Sequence, residues 1–310
     1  MSRLPHPSTM AAQSRRPGAR PGRLLALVGL VLVAALATGC DELSARHLIQ
    51  EGNKEYGEQN YEKAAEYFQQ SIAKHPGIDI AHHNLGITYS RMFKPGIETP
   101  ENRAFADKAA EQFAIWLKKH PKDSKIQKLL TSLWVDAGEY EKAVAFWKTE
   151  HQANPTSREI IQRVAGIYFK SGDWRSSVEW YQKDIDVAPD KEGKIAGYSA
   201  IANLTFGLLF SSSAREKLQG VDRTEIAEVG LAAAGEGLKL DDTNIALTGI
   251  CQGLWLNRAI ANGPSWAMAI DRAEAQVFEQ RARVLRAEAK KAQDAAADNA
   301  GTTPAPASGT

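Results

Sequence analysis

The chain has 310 residues, with 38 Lys and Arg against 37 Asp and Glu, and 43% of it is apolar. Residues 1–39 hold five of the arginines (Arg3, Arg15, Arg16, Arg20 and Arg23) and no acidic residue, so the rest carries 33 basic and 37 acidic side chains, a formal charge of −4. That part has no cationic surplus for a phosphate backbone, which excludes nucleic acid as an expected partner. Its cysteines, Cys40 and Cys251, are too few and too far apart for a zinc site.

Leu24 to Ala37 is a 14-residue apolar run, short for a membrane span and the right length for a signal-peptide core. It ends at Ala37-Thr38-Gly39-Cys40. Small residues in front of a cysteine resemble the lipobox of bacterial lipoproteins, with Ala37 standing where leucine is usual. The resemblance implies that residues 1–39 are a lipoprotein signal peptide, that Cys40 carries acyl chains such as palmitate, and that 40–44 form an anchor and linker. A plain cleaved signal followed by an incidental cysteine is the alternative. Each buried CH₂ of an acyl chain adds about 0.8 kcal/mol of membrane binding, so more than one chain holds the protein stably. The implied location is the cell envelope, facing the periplasm. Asp41 resembles the signal that keeps a lipoprotein in the inner membrane, with the outer membrane left open. Met10 offers a start with a more ordinary basic region than Met1 does.

From Ala45 to Lys191 one pattern recurs. Its clearest copy reads Leu130, Trp134, Gly138, Tyr140, Ala143, Trp147 and Pro155; the next, 34 residues on, reads Val164, Tyr168, Gly172, Trp174, Ser177, Tyr181 and Pro189. Earlier copies carry Gly52, Tyr61, Ala64, Phe68 and Pro76, then Leu85, Gly86, Tyr89, Ala109, Phe113 and Pro121. The closing prolines at 76, 121, 155 and 189 give steps of 45, 34 and 34, so one period is lengthened by 11 residues. This period with these residue types resembles the tetratricopeptide repeat. The resemblance implies an all-α fold, an α-solenoid of helix-turn-helix repeats in which each repeat leans on the next because it cannot bury its apolar face alone. Ala64, Ala109 and Ala143 let helices approach, while Phe68, Phe113, Trp147 and Tyr181 fill the space between them. Gly138 and Gly172 suit turns that need φ > 0.

The first repeat runs from Ala45 to about Ile78 and turns at Asn60-Tyr61. In the second, a helix from Asp79 to Arg91 leads into Met92-Phe93-Lys94-Pro95-Gly96, and a new helix starts at Thr99-Pro100-Glu101. Thr99 is a good N-cap and Pro100 suits the first helical position, which places the insertion near 91–102. Phe93 and Ile97 on that loop are expected to fold back on the repeat, the alternative being a partner contact. Repeats three and four follow at 124–157 and 158–191. From 192 to 297 the pattern decays into degenerate repeat-like helices. One of these spans Ile195 to Phe210, ended by Ser211-Ser212-Ser213 and Gly220. Another spans Thr224 to Leu240, with small Gly230, Ala233, Ala234 and Gly237 where bulk stood before. After Thr243–Ala261, a capping helix opens at Ser265; Ile270, Val277 and Val284 are expected to run down its inner face, with Ala273 and Leu285 beside them. Residues 298–310 read as a disordered tail.

No catalytic constellation is present: there is no His-Glu-x-x-His, Gly-x-Ser-x-Gly or phosphate-binding loop. His82 and His83 are neighbours on a helix and point about 100° apart, which suits no shared metal. No cofactor, metal or enzymatic activity is expected. Cys251, beside Leu247, Leu254 and Trp255, reads as a small core hydrophobe.

What remains is surface. The resemblance implies a concave groove lined by the first helix of each repeat. Carried over position by position, it gives Asn53 and Tyr56; His83, Asn84, Ile87 and Arg91; Lys125, Lys128, Ser132 and Val135; and Gln162, Arg163, Phe169 and Lys170. Asn53, Asn84 and Lys125 stand at three places of a carboxylate clamp, but Ile49 and Leu129 occupy the other two, where cations are needed, and export from the cytoplasm also argues against that clamp. Amide donors and cations suit an acidic or C-terminal segment of another protein. The expectation is therefore a membrane-anchored adaptor for a bacterial envelope machine, as similar lipoproteins serve pilus secretion, outer-membrane assembly and cell-wall remodelling. The alternative is a carrier of a small apolar ligand, held in a hollow among Gly230, Ala233, Ala234 and Gly237.

Overall fold

The computed structural model describes residues 41–210 and 221–301. The expected leader with Cys40, the break at Ser211–Gly220 and residues 302–310 lie outside the described residues, while 298–301, assigned to the disordered tail, continue the last helix. Among those described there is no strand; every element is a helix joined to the next by a short connection. The chain divides into two compact units, Met1–Leu133 and Trp134–Thr310.

In the first unit α1 covers 41–57, so the helix takes in residues 41–44, which the sequence assigns to a linker. Then come α2 (Tyr61–Lys74), α3 (Asp79–Met92) and α4 (Pro100–Lys119), with α5 (Ser124–Asp136) crossing the boundary between units. Small residues decide how closely these helices pack. A Cβ on Gly52 would sit 2.6 Å from the Phe68 ring, and one on Gly86 would sit 2.7 Å from the Phe113 ring. Each aromatic side chain of the second helix thus lies flat on backbone of the first. Phe68 and Phe113 are buried with Ala64, Ala109, Leu85 and Tyr89, the packing roles their repeat positions imply. Ser71 Oγ ties α2 to α1 by donating to Ala45 O at 2.9 Å.

The inserted loop is held by one side chain. Asn102, nearly buried, accepts from Lys94 N (2.9 Å) and donates to Lys94 O (2.8 Å) and Ile97 O (2.7 Å). Thr99 caps α4 through Asn102 N at 3.2 Å, with Pro100 at the first position. Phe93 folds back into the core, whereas Ile97 stands exposed. The helix that follows has 20 residues against 14 in α2, which absorbs the rest of the insertion.

The turns of repeats three and four have Gly138 at φ 78 and Gly172 at φ 87. Gln59 holds the same place in the first repeat at φ 65. The hydrogen bonds match: Gln59 N to Tyr56 O (3.0 Å) and Asn60 N to Glu55 O (2.9 Å) repeat as Gly138 N to Val135 O (3.1 Å) and Glu139 N to Trp134 O (2.7 Å). A side chain there costs about 1–2 kcal/mol of left-handed strain, partly offset because glycine loses more freedom on folding. Gln59→Gly is therefore expected to raise the stability of the first unit by about 0.5–1 kcal/mol. A lower midpoint in urea unfolding would contradict this.

The second unit contains α6 (Tyr140–Ala153), α7 (Arg158–Lys170), α8 (Trp174–Asp186), α9 (Lys191–Phe210), α10 (Val221–Leu240), α11 (Ile245–Asn262) and α12 (Trp266–Gly301). Helices pack on their sequence neighbours, and α9 in addition touches α11. Trp147, Ile161, Val164 and Trp180 centre one core cluster. Val135, assigned to the groove by the resemblance, is buried in that cluster instead, because α5 turns it toward Ala143 and Trp147.

The structure bears next on one sequence alternative and corrects one expectation. The small residues of α10 make contact rather than a hollow: a Cβ on Gly230 would collide with Thr205 Oγ1 and Leu254, and one on Gly237 would lie 2.6 Å from Leu247 Cδ1. Ala234 is fully buried, and Ala233 alone of the four lines an open cleft of about 290 Å³, with Val178, Tyr198, Ile201 and Val229. The correction concerns α12, where Ile270, Val277 and Val284 are exposed rather than inward. The buried side is Asp271, Ala275 and Ala282, with Phe278 half-buried. Asp271 sets this rotation by accepting from Arg258 (2.7 Å) and Asn262 (2.7 Å) of α11.

Candidate functional site: polar faces of the first helices

In the first unit, α1 and α3 place their polar residues side by side. Asn84 Nδ2 donates to Asn53 Oδ1 at 2.8 Å, and Asn84 Oδ1 lies 2.9 Å from His83 Nδ1. A turn further along, Arg91 Nε donates to Tyr56 Oη at 3.3 Å, a bond that holds the guanidinium pKa above its ordinary value. Ile87 lies half-buried between these pairs, and Lys125, Lys128 and Ser132 are exposed on α5. Asn53 with Asn84 and Tyr56 with Arg91 are thus fixed by their own hydrogen bonds, and α5 adds exposed cations.

Behind His83 runs an aromatic ladder that the sequence did not reveal. His83 packs on Trp116 at 4.7 Å, and Trp116 stacks on His120 at 3.8 Å. Trp116 Nε1 donates to Asp123 Oδ2 at 2.9 Å, and Asp123 Oδ1 caps α5 through Lys125 N (3.1 Å) and Ile126 N (3.2 Å). Burial pushes the Asp123 carboxyl up, but the indole and backbone bonds outweigh it and hold the group below its ordinary value. His120 Nε2 meets Asp79 Oδ2 at 2.9 Å, which lowers the Asp79 pKa. The ladder orients the face by fixing His83 and the start of α5. His82 is engaged separately, its Nδ1 2.6 Å from Gln112 Oε1.

In the second unit the sequence-derived residues divide. Phe169 and Lys170 are exposed at the end of α7. Gln162 is exposed as well, and donates to both oxygens of Asp184 (3.1 and 3.0 Å), beside the bidentate Arg158 pair (2.8 and 2.7 Å). The Asp184 bond raises the Arg158 pKa. Arg163 lies over the Trp147 ring at 5.0 Å and pairs with Glu159 at 2.8 Å. Both side chains thus already hold partners within their unit. The Arg158–Asp184 spacing of 26 residues, one helix hairpin, was the available signal.

No group of three or more His, Cys, Asp or Glu among the described residues is arranged to hold a metal ion. Nor is any described helix long and apolar enough to cross a membrane. Burial pushes the Cys251 thiol up to about 11, so its thiolate is scarce at neutral pH. Alkylation of Cys251 is expected only after denaturation; rapid labelling of the native protein would contradict its place in the core.

The helix hairpins, their 34-residue period and their positive-φ turns define the fold of each unit as tetratricopeptide-like. No protein-family model and no curated protein matches the sequence. Among solved structures, a TPR repeats protein from Bacteroides fragilis is similar at 17% identity and a TM-score of 0.42, over 70% of this chain and 98% of that one. A tetratricopeptide repeat protein from Parabacteroides merdae is similar at 16% identity and a TM-score of 0.41, over 80% and 93%. MamA is similar at 16% identity and a TM-score of 0.35, over 61% and 96%. Likeness at this level carries no argument about function, which rests on the residues of this chain.

Proposed function

We propose that the chain is a lipid-anchored scaffold that holds other proteins of a bacterial envelope machine, using the polar faces of its first helices. The observation that carries the reading is the prearranged row Asn53–Asn84 and Tyr56–Arg91, with Lys125 and Lys128 exposed on α5. Fixed amides and cations of this kind suit carboxylates and backbone carbonyls of an extended segment, because little side-chain freedom is left to lose on binding. The anchor half of the reading rests on the sequence around Cys40. Export and acylation there would put these faces in the periplasm, within reach of partners assembled on the membrane.

The test is co-purification from cells. Lys125→Glu with Lys128→Glu is expected to reduce recovery of bound proteins several-fold, whereas Arg163→Glu has a smaller effect because Arg163 is already engaged by Glu159 and Trp147. Unchanged recovery with the double variant overturns the assignment of the face. Incorporation of labelled palmitate that survives Cys40→Ser overturns the anchor independently.

A further inference from the structure

We propose that the outward face of α12 is a self-association seam, along which two copies of this chain set their α12 helices side by side, parallel and in register. The outward face carries Trp266 (88% exposed), Ile270 (59%), Val277 (61%) and Val284 (55%). The spacing from Ile270 to Val277 to Val284 is seven residues, and exposed Ala273 and Ala287 stand three residues after Ile270 and Val284. The seven-residue spacing is the repeat of a helix-on-helix seam, and the layers between hold Trp266, Ala273, Gln280 and Ala287. A helix lying on a bilayer instead presents a wider stripe at a period of 3.6 residues. The buried side of α12, with Asp271, Ala275 and Ala282, is a different face, so the helix has one apolar side more than its own unit covers.

Length points the same way. α12 has 36 residues and its packing partner α11 has 18. Residues 286–297 are exposed throughout, a length of helix that is marginal in water by itself. A second α12 alongside covers only its start, at Ala287; further on, the seam positions are the charged Lys291 and Asp294.

Charge selects the arrangement. In a parallel, in-register pair the residues flanking the seam meet at offsets of five, so Arg283 faces Glu288 of the second copy, and the two-fold axis repeats the pair. Gln276 faces Arg281 of the second copy, so no like charges oppose in the flanking rows along Ile270 to Val284. Within one chain Arg283 pairs with Glu279 at 2.5 Å one turn earlier; exposed pairs of that kind contribute little and are readily exchanged.

The test uses the full chain in cells, carrying Ile270→Cys or Val284→Cys and treated with a mild oxidant. Both positions are more than half exposed, so the packed face of α12 is undisturbed, and the unsubstituted chain gives the background from Cys40. Each variant is expected to form a disulfide-linked dimer well above background. Arg283→Glu is expected to lower the yield several-fold, and adding Glu288→Arg to restore it. The proposal is overturned if neither thiol cross-links to itself, if only the mixed pair does (an antiparallel seam), or if charge reversal leaves the yield unchanged. It is equally overturned if anionic phospholipid vesicles shield the introduced thiols from maleimide without any dimer, which makes the occupant a bilayer.

Discussion

Phe113→Ala is expected to destabilise the first unit by about 3–5 kcal/mol, the range for truncating a fully buried aromatic side chain. Phe113 has no exposed surface, and its ring lies against the backbone of α3 at Gly86. The cavity cannot be refilled from α3, since glycine has no side chain to offer. A second substitution reports on the same contact with a change of sign. In the unaltered chain Gly86→Ala puts a methyl 2.7 Å from the Phe113 ring and is expected to destabilise. In the Phe113→Ala background the same methyl enters the vacated space, and the better helix propensity of alanine, about 1 kcal/mol, makes the change stabilising. Urea unfolding followed by far-ultraviolet circular dichroism measures both. Additive effects of the two substitutions would show that the ring does not rest on Gly86.

The second large effect is expected at Arg158. Its guanidinium clamps both oxygens of Asp184, which is 1% exposed, and donates to Gly193 O at 3.0 Å. Arg158→Met leaves that carboxylate buried with only the Gln162 amide beside it. Removing one partner of a buried ion pair costs about 3–5 kcal/mol, because the charge that remains is uncompensated. Adding Asp184→Asn removes the stranded charge, so the double variant is expected to recover much of the loss. A thermal melt of the four chains of this cycle gives the coupling. If the double variant melts below Arg158→Met, the pair does not act as described.

These sites separate what was legible in the sequence from what was not. Repeat length, the aromatic–alanine alternation and the Thr99–Pro100 helix start are local or periodic, and a linear reading finds them. Gln59 escaped because the turn it occupies is marked elsewhere by glycine, so its positive φ shows only in the backbone. Asn102 escaped because its partners are backbone groups, which carry no residue signature. α12 was read with the wrong side inward. Its apolar residues form two faces, and the choice between them was made by Asp271, a charged residue that a hydrophobic pattern discounts. Gln162 and Arg163 occupy groove positions by the resemblance, but Asp184, Glu159 and Trp147 engage them first. Exposure of a repeat position depends on what its neighbours in space demand, and that is not periodic.

The contact of α9 with both α10 and α11 gives the later part of the second unit a different response to stress. Where each helix leans only on its successor, a chain end frays hairpin by hairpin, each step losing only its own small share of buried area. Three helices that brace one another must give way at once. A protease nibbling inward past α12 therefore meets a barrier rather than a slope.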